Sequence, residues 1–391
     1  MKKFKMGLLT RIIFAIALGI LIGMFAPESI VKIMATFNGL FGNFLGFVVP
    51  LIIIAFIAPG IAQLGSGSGK LLGLATFFAY ASTIVAGFMA LLIASNVLPR
   101  FISSSSGESF ANPEESLATA FFKVDMPPAV GIMSALLLAF IFGIGMASTN
   151  SVALKRGFDE FNRIIEKVIA YVIIPLLPVH IFGIFMNMTF GGQVAKILSV
   201  FAIVFVLIII LHIVMLLMQY TVAGALNKQN PFKLLKTMSP AYFTALGTQS
   251  SAATIPVTLA QSKKTGASDK VTDFTVPLFA TIHLSGSTIT LVTCAIGVLL
   301  LNGQSIEIKD MVPFILMLGV TMIAAPGVPG GAVMAAIGLL STMLGFDETM
   351  IALMIALYLA QDSFGTATNV TGDGALTLIV NRFSLDKTTK K

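Results

Sequence analysis

Charge is scarce in this sequence: only 10% of its 391 residues are Asp, Glu, Lys or Arg, against about 25% in a soluble domain. With 57% hydrophobic residues and a mean hydropathy of +0.97, the chain has too little polar surface to fold in water. Cysteine is nearly absent. A single Cys294 excludes an intramolecular disulfide framework and any multi-cysteine metal site. A basic face interleaved with aromatics is also missing, so the formal charge of +7 carries no nucleic-acid signal. Neither a soluble domain nor a low-complexity linker is evident. What remains is an all-α polytopic membrane protein embedded in the lipid bilayer, with apolar stretches enough for about six to eight crossings.

The first apolar segment, after MKKFKMGLLTR, is long and followed by GMFAPES, a poor cleavage site, so it reads as a retained first span rather than a signal peptide. Further spans are expected near 42–63, 71–97, 130–148, 160–188 and 196–225, the first covering 8–26. Lys2, Lys3, Lys5 and Arg11 place the N-terminus in the cytoplasm. Alternation then puts Lys70, Lys155, Arg156, Lys228, Lys233 and Lys236 on the same side, and the Ser-rich, acidic 99–128 connection outside. The expected location is the cell membrane, with both termini inside.

After residue 228 the pattern changes. Residues 230–266 form an apolar run interrupted by TALGTQSSAATIPVT, with basic flanks at both ends. A segment that enters and leaves on one side is a re-entrant hairpin. A full span over 270–301 follows, carrying IHLSGST, then a second broken run over 311–345 with APGVPGGAV at its middle. A last span over 348–381 leads to a basic C-terminus. Hairpin–span, hairpin–span is an inverted repeat, and paired broken segments point to a transporter's central site. The fold expected is eight transmembrane helices plus two re-entrant hairpins. Residues 1–229 would form mainly scaffold and oligomerisation spans, and 230–391 the core transport region.

The last span holds the chemistry. In DSFGTATNVTGD, Asp362, Thr366, Asn369 and Asp373 stand at offsets 0, 4, 7 and 11, which at about 100° per residue puts all four on one narrow stripe. A mid-membrane carboxylate costs roughly 2.5–3.5 kcal/mol on insertion scales, so two on one stripe need cations or a ligand amine as partners. The bland alternative is a pair of helix-end aspartates at an interface, but apolar residues continue past both. Ser250 and Ser251 at the first hairpin tip offer hydroxyls and unpaired N–H groups to a carboxylate. Val328 and Gly330 in the second tip offer backbone without bulk. His283 lies in the intervening span, where packing and hydrogen bonding are the commoner fate of a lone histidine; His180 and His212, among uniformly apolar neighbours, read as structural.

These stretches resemble the dicarboxylate/amino acid:cation symporters, the glutamate-transporter fold. TQSSAATIPVT is similar to the family's serine-rich first hairpin, GVPGG to the second hairpin tip, and DSFGTATNVTGD to the eighth span. The likeness is specific over about residues 240–375. It implies a symporter without enzymatic activity, working by an elevator-type alternating-access movement, and a homotrimer. Asp362 takes the position that binds the substrate amino group, and Thr366 and Asn369 take substrate-contacting positions. Ser250 and Ser251 hold the α-carboxylate, and Val328 to Gly330 form the lid. Asn369 and Asp373 belong to a sodium site, with His283 and Ser285 where the family has Asn and Asp in its seventh span.

Acidic-substrate members carry an arginine where this chain has Gln249 or Gly365. The resemblance therefore implies a sodium-coupled symporter for a small neutral amino acid of the serine, threonine or alanine type. The alternatives are an acidic amino acid or dicarboxylate symporter, or proton coupling through His283. A remote one is an intramembrane serine hydrolase using Ser285 or Ser250 with His283. Two residues apart on a helix, Ser285 and His283 point about 200° apart, which is poor geometry for a nucleophile and its base.

Overall fold

A computed structural model describes residues 8–65, 69–102, 118–149, 151–192, 194–323, 325 and 330–385. The described residues are mostly helical, without a strand. The elements are α1 (Leu8–Gly23), α2 (Glu28–Gly65), α3 (Gly69–Ile102), α4 (Ile132–Thr149), α5 (Val152–Val168), α6 (Ile174–Phe190) and α7 (Val194–Asn227). Then come α8 (Pro231–Thr248), α9 (Ser251–Lys264), α10 (Asp269–Ile282), α11 (Ser285–Leu301), α12 (Ile308–Met322), α13 (Gly331–Leu344) and α14 (Glu348–Leu385). Among the described residues, six stretches are long and apolar enough to cross a membrane. They are Glu28–Ala62, Leu71–Ile102, Val152–Phe190, Ile197–Asn227, Asp269–Leu301 and Glu348–Ser384.

Local chemistry explains the joints. Pro175 lacks the N–H that would reach the carbonyl of residue 171, and a π turn over Ile169–Ile173 widens the chain there between α5 and α6. Asn230 caps α8 by accepting from Phe232 N at 2.9 Å, with Pro231 at the first helical position. Both broken runs after residue 230 are pairs of helices packed on each other, α8 with α9 and α12 with α13.

One expectation needs correcting. The span read as continuous over 270–301 is two helices, α10 and α11, because His283 (φ −112°, ψ 99°) and Leu284 (φ −122°, ψ 47°) leave helical geometry. By contrast, α14 runs unbroken through both aspartates, so its polar residues do share one stripe.

Two sets of helices emerge from the packing. Helices α1, α2, α4, α5 and α6 lie against one another, while α3 and α7 pack with α8 to α14. The sets meet chiefly where α13 and α14 touch α1, α2, α4 and α6. At the end of the first set, residues 118–125 cross α2 and α6 as a strap tied by side chains. Asn187 donates to Ala118 O at 3.0 Å and accepts from Ala118 N at 2.9 Å. Thr36 Oγ1 accepts from Phe121 N at 2.9 Å, and Asn43 Nδ2 donates to Val124 O at 2.7 Å. Helices α11 and α14 form the centre of the second set and are buried almost throughout.

Candidate functional site

The stripe on α14 meets three ends of broken helices, and Asp362, Asn369 and Asp373 each engage one of them. Asp362 comes first. Its Oδ2 accepts the backbone N–H of Gly330 at 2.7 Å, at the start of α13, where the unpaired N–H groups and the helix dipole favour a negative charge. Gly330 adopts φ +77°, and a Cβ there would stand 2.8 Å from Leu359 Cδ2. The Tyr358 hydroxyl interacts with both Asp362 and Ser287.

Asn369 caps the second end across space. Its Oδ1 accepts from Gly286 N at 2.7 Å and Ser287 N at 3.3 Å, and its Nδ2 donates to Ser287 Oγ at 2.9 Å. The break at His283–Leu284 is what leaves those N–H groups open. Helices α11 and α14 touch backbone to backbone here: a Cβ on Gly286 would lie 2.5 Å from Gly365 O and 2.7 Å from Thr368 Cβ. His212 contributes from α7, its Nε2 lying 3.0 Å from Gly286 O and 3.2 Å from Thr290 Oγ1.

Asp373 meets the third end. His283 Nδ1 lies 2.8 Å from Asp373 Oδ1, with both side chains buried. The other ring nitrogen, Nε2, is 3.1 Å from Ser82 Oγ and 3.4 Å from Gln219 Nε2. Gln219 in turn donates to Ser82 Oγ at 3.0 Å and to Ser285 Oγ at 3.3 Å. Ser82 and Gln219, from α3 and α7, were not evident as site residues in the sequence. A lone amide in the apolar run IVMLLMQY was the available signal, since a buried polar group needs a partner. The four side chains expected around sodium, Asn369, Asp373, His283 and Ser285, are thus tied into hydrogen bonds with protein N–H groups. Among the described residues, no group of three or more His, Cys, Asp or Glu converges as a metal site.

A cavity of about 30 Å³ brings Ser251, Asp362, Thr366 and Asn369 together with Gln249, Ser287 and Tyr358. That is room for about one water. Ser250 does not line it. Its side chain caps α9 by accepting from Ala253 N at 3.3 Å. Gln249 does line it, from a left-handed turn (φ 53°) between α8 and α9. Gly365 instead faces α11, with Ser287 N 3.4 Å and Thr290 Oγ1 3.5 Å from the place of a Cβ. Val328 lies outside the described residues. A larger cavity of about 480 Å³, between α2, α6, the strap and the start of α14, holds none of the expected site residues.

The run Ser82–His283–Asp373 has the connectivity of a hydrolase triad, although Ser82 is neither of the serines that the sequence suggested. Comparison with known proteins settles the class. The serine/threonine transporter SstT of Acinetobacter baylyi is 25% identical over 395 residues, 97% of this chain and 98% of the relative. SstT of Streptococcus suis is 25% identical over 341 residues, 84% of this chain and 93% of the relative. The model of the sodium:dicarboxylate symporter family matches residues 8–383, and the chain belongs to that family, one of transporters and not of enzymes.

Proposed function

We propose that this protein is a secondary active symporter that takes up a small neutral amino acid, of serine, threonine or alanine size, with sodium as the driving ion. One observation carries the substrate reading: the described lining of the cavity at α14 has one carboxylate, Asp362, and no Arg, Lys or His. A substrate amine finds its counter-charge there. Its α-carboxylate is served by the N-terminus of α9 at Ser251, where unpaired N–H groups favour an anion. A second carboxylate would be desolvated with no cation to meet it. The names of the two relatives, serine/threonine transporters, point the same way.

In this reading the eight spans are α1, α2, α3, α4, the joined α5–α6, α7, the broken α10–α11, and α14. The pairs α8–α9 and α12–α13 are the re-entrant hairpins. Helix packing supports a moving body larger than residues 230–391: α3 and α7 pack with it, and Ser82 and Gln219 share its central hydrogen bonds. The first set, α1, α2 and α4 to α6, is then the scaffold, and it provides the homotrimer contacts in the cell membrane. The Gly330 N–H takes Oδ2 of Asp362 and leaves Oδ1 for the substrate amine, so loading and the position of the second tip are linked at one carboxylate.

The test is uptake of radiolabelled serine into proteoliposomes, with and without an inward sodium gradient, against a panel of unlabelled competitors. Serine, threonine and alanine should compete, and the gradient should accelerate uptake. If aspartate or glutamate competes better than serine, the neutral-substrate reading fails. The dicarboxylate reading, which the family description favours, then takes its place.

A further inference from the structure

The His283–Asp373 pair is built more completely than packing alone requires. Both groups are 1% exposed, and one consistent set of hydrogen-bond directions runs through the ring. The Gln219 amide donates to Ser82 Oγ, the Ser82 hydroxyl can donate to His283 Nε2, and the Nδ1–H donates to Asp373 Oδ1 at 2.8 Å. A ring protonated on both nitrogens would keep the same Nδ1 donor. In either state an N–H fills the position beside that carboxylate oxygen.

Several neighbouring oxygens are also committed. Asn369 Oδ1, one turn before Asp373, accepts from two backbone N–H groups. Ser285 Oγ and Ser82 Oγ both accept from the Gln219 amide, and the Tyr220 hydroxyl donates to Thr371 O at 2.6 Å. Buried acceptors without a partner remain in Gln219 Oε1 and Thr371 Oγ1. A hard cation wants several oxygens with lone pairs converging on one point, and around Asp373 Oδ1 the space instead holds an imidazole.

We propose that His283 is the built-in counter-group of Asp373 and a determinant of ion coupling. Its ring fills the space at Oδ1 of Asp373 that a co-transported cation would need, so this carboxylate is lost as a sodium ligand and the driving sodium is carried elsewhere. Gln219 and Ser82 are positioning residues that hold the ring from α7 and α3. The inference rests on the symport reading above.

The experiment uses the full-length protein and sodium itself as the probe. The first readout is the ratio of labelled sodium to labelled serine entering proteoliposomes, for wild type and His283→Asn. Removing the ring frees Asp373, and the ratio should rise by about one ion, with a steeper sodium dependence. The second is the sodium-dependent rise in melting temperature of detergent-solubilised wild type and Asp373→Asn without substrate. Its sodium midpoint should agree within about twofold, since a lost ionic ligand would shift it about tenfold or more. A His283→Asn ratio equal to wild type overturns the proposal, as does a sodium response abolished by Asp373→Asn. If Asp373→Asn does not fold, the His283→Asn ratio decides alone. Absence of amino-acid uptake under any gradient would instead refute the symport reading, which separates the two failures.

Discussion

The N–H of Gly330 sits 2.7 Å from Oδ2 of Asp362, so the turn of the second helix pair is latched to the only charged side chain in the described lining of the cavity. If the same carboxylate receives the substrate amine, as proposed above, this contact gives the site a way to sense occupancy. Asp362→Asn separates the two roles. The amide oxygen still accepts from Gly330, so the fold should survive, while the amine loses its counter-charge. Charge-assisted hydrogen bonds contribute about 1.5–3 kcal/mol, so uptake should fall at least about tenfold with normal yield and monodispersity. Uptake at the wild-type rate would exclude an amine as the group bound there.

Gly330→Ala tests the other side of the latch. A left-handed conformation costs a non-glycine residue roughly 1–2 kcal/mol, and the new Cβ must also push Leu359 aside. Both penalties fall on the conformation in which Gly330 meets Asp362. The apparent KM for substrate should rise about five- to thirtyfold as closure becomes less favourable. An unchanged KM would mean that the turn does not close over the ligand.

Selectivity offers a sharper comparison. Gln249 lines the cavity and already occupies a left-handed position, whereas Gly365 faces α11. Gln249→Arg should therefore bring a guanidinium to the substrate and raise the competition by aspartate or glutamate, at the expense of serine. Gly365→Arg should chiefly damage the α11–α14 contact and lower the yield. Competition assays on the two variants check this, and acidic preference appearing in Gly365→Arg alone would reverse the assignment.

At the crossing of α11 and α14, Gly286→Ala would force a methyl to within 2.5 Å of Gly365 O. Overpacking of this kind typically costs about 1–3 kcal/mol. The melting temperature in detergent should drop, and the Asn369 cap on α11 should weaken with it. A melting curve superimposable on wild type would show that the two helices can separate freely.

The unbroken course of α14 was legible because a spacing of 0, 4, 7 and 11 puts Asp362, Thr366, Asn369 and Asp373 on one side only if the helix continues. The two broken runs were legible from glycine, proline and serine inside apolar sequence. The break at His283–Leu284 was not. Neither residue of the break is a glycine or proline; Pro277 lies six residues earlier and Gly286 two residues later, inside a largely apolar run. What holds the break open is tertiary: Asn369 on one side and Asp373 on the other supply the partners that the backbone and His283 need. Ser82 and Gln219 escaped for the same reason. Both stand in largely apolar helices far from His283 along the chain, and only the folded arrangement brings them to it.

Cys294, the lone thiol, is buried in the interior of α11, with Gln361 Nε2 3.9 Å from its sulfur. The protein is thereby its own cysteine-light background for spectroscopy. Phe121 on the tied strap is 60% exposed and Ile308 at the start of α12 is 69% exposed. Spin labels at Phe121→Cys and Ile308→Cys would mark one point on the proposed stationary helices and one on the proposed moving body. Pulsed dipolar distances between them, with the native thiol left in place, would then act as a ruler for the stroke of the transporter.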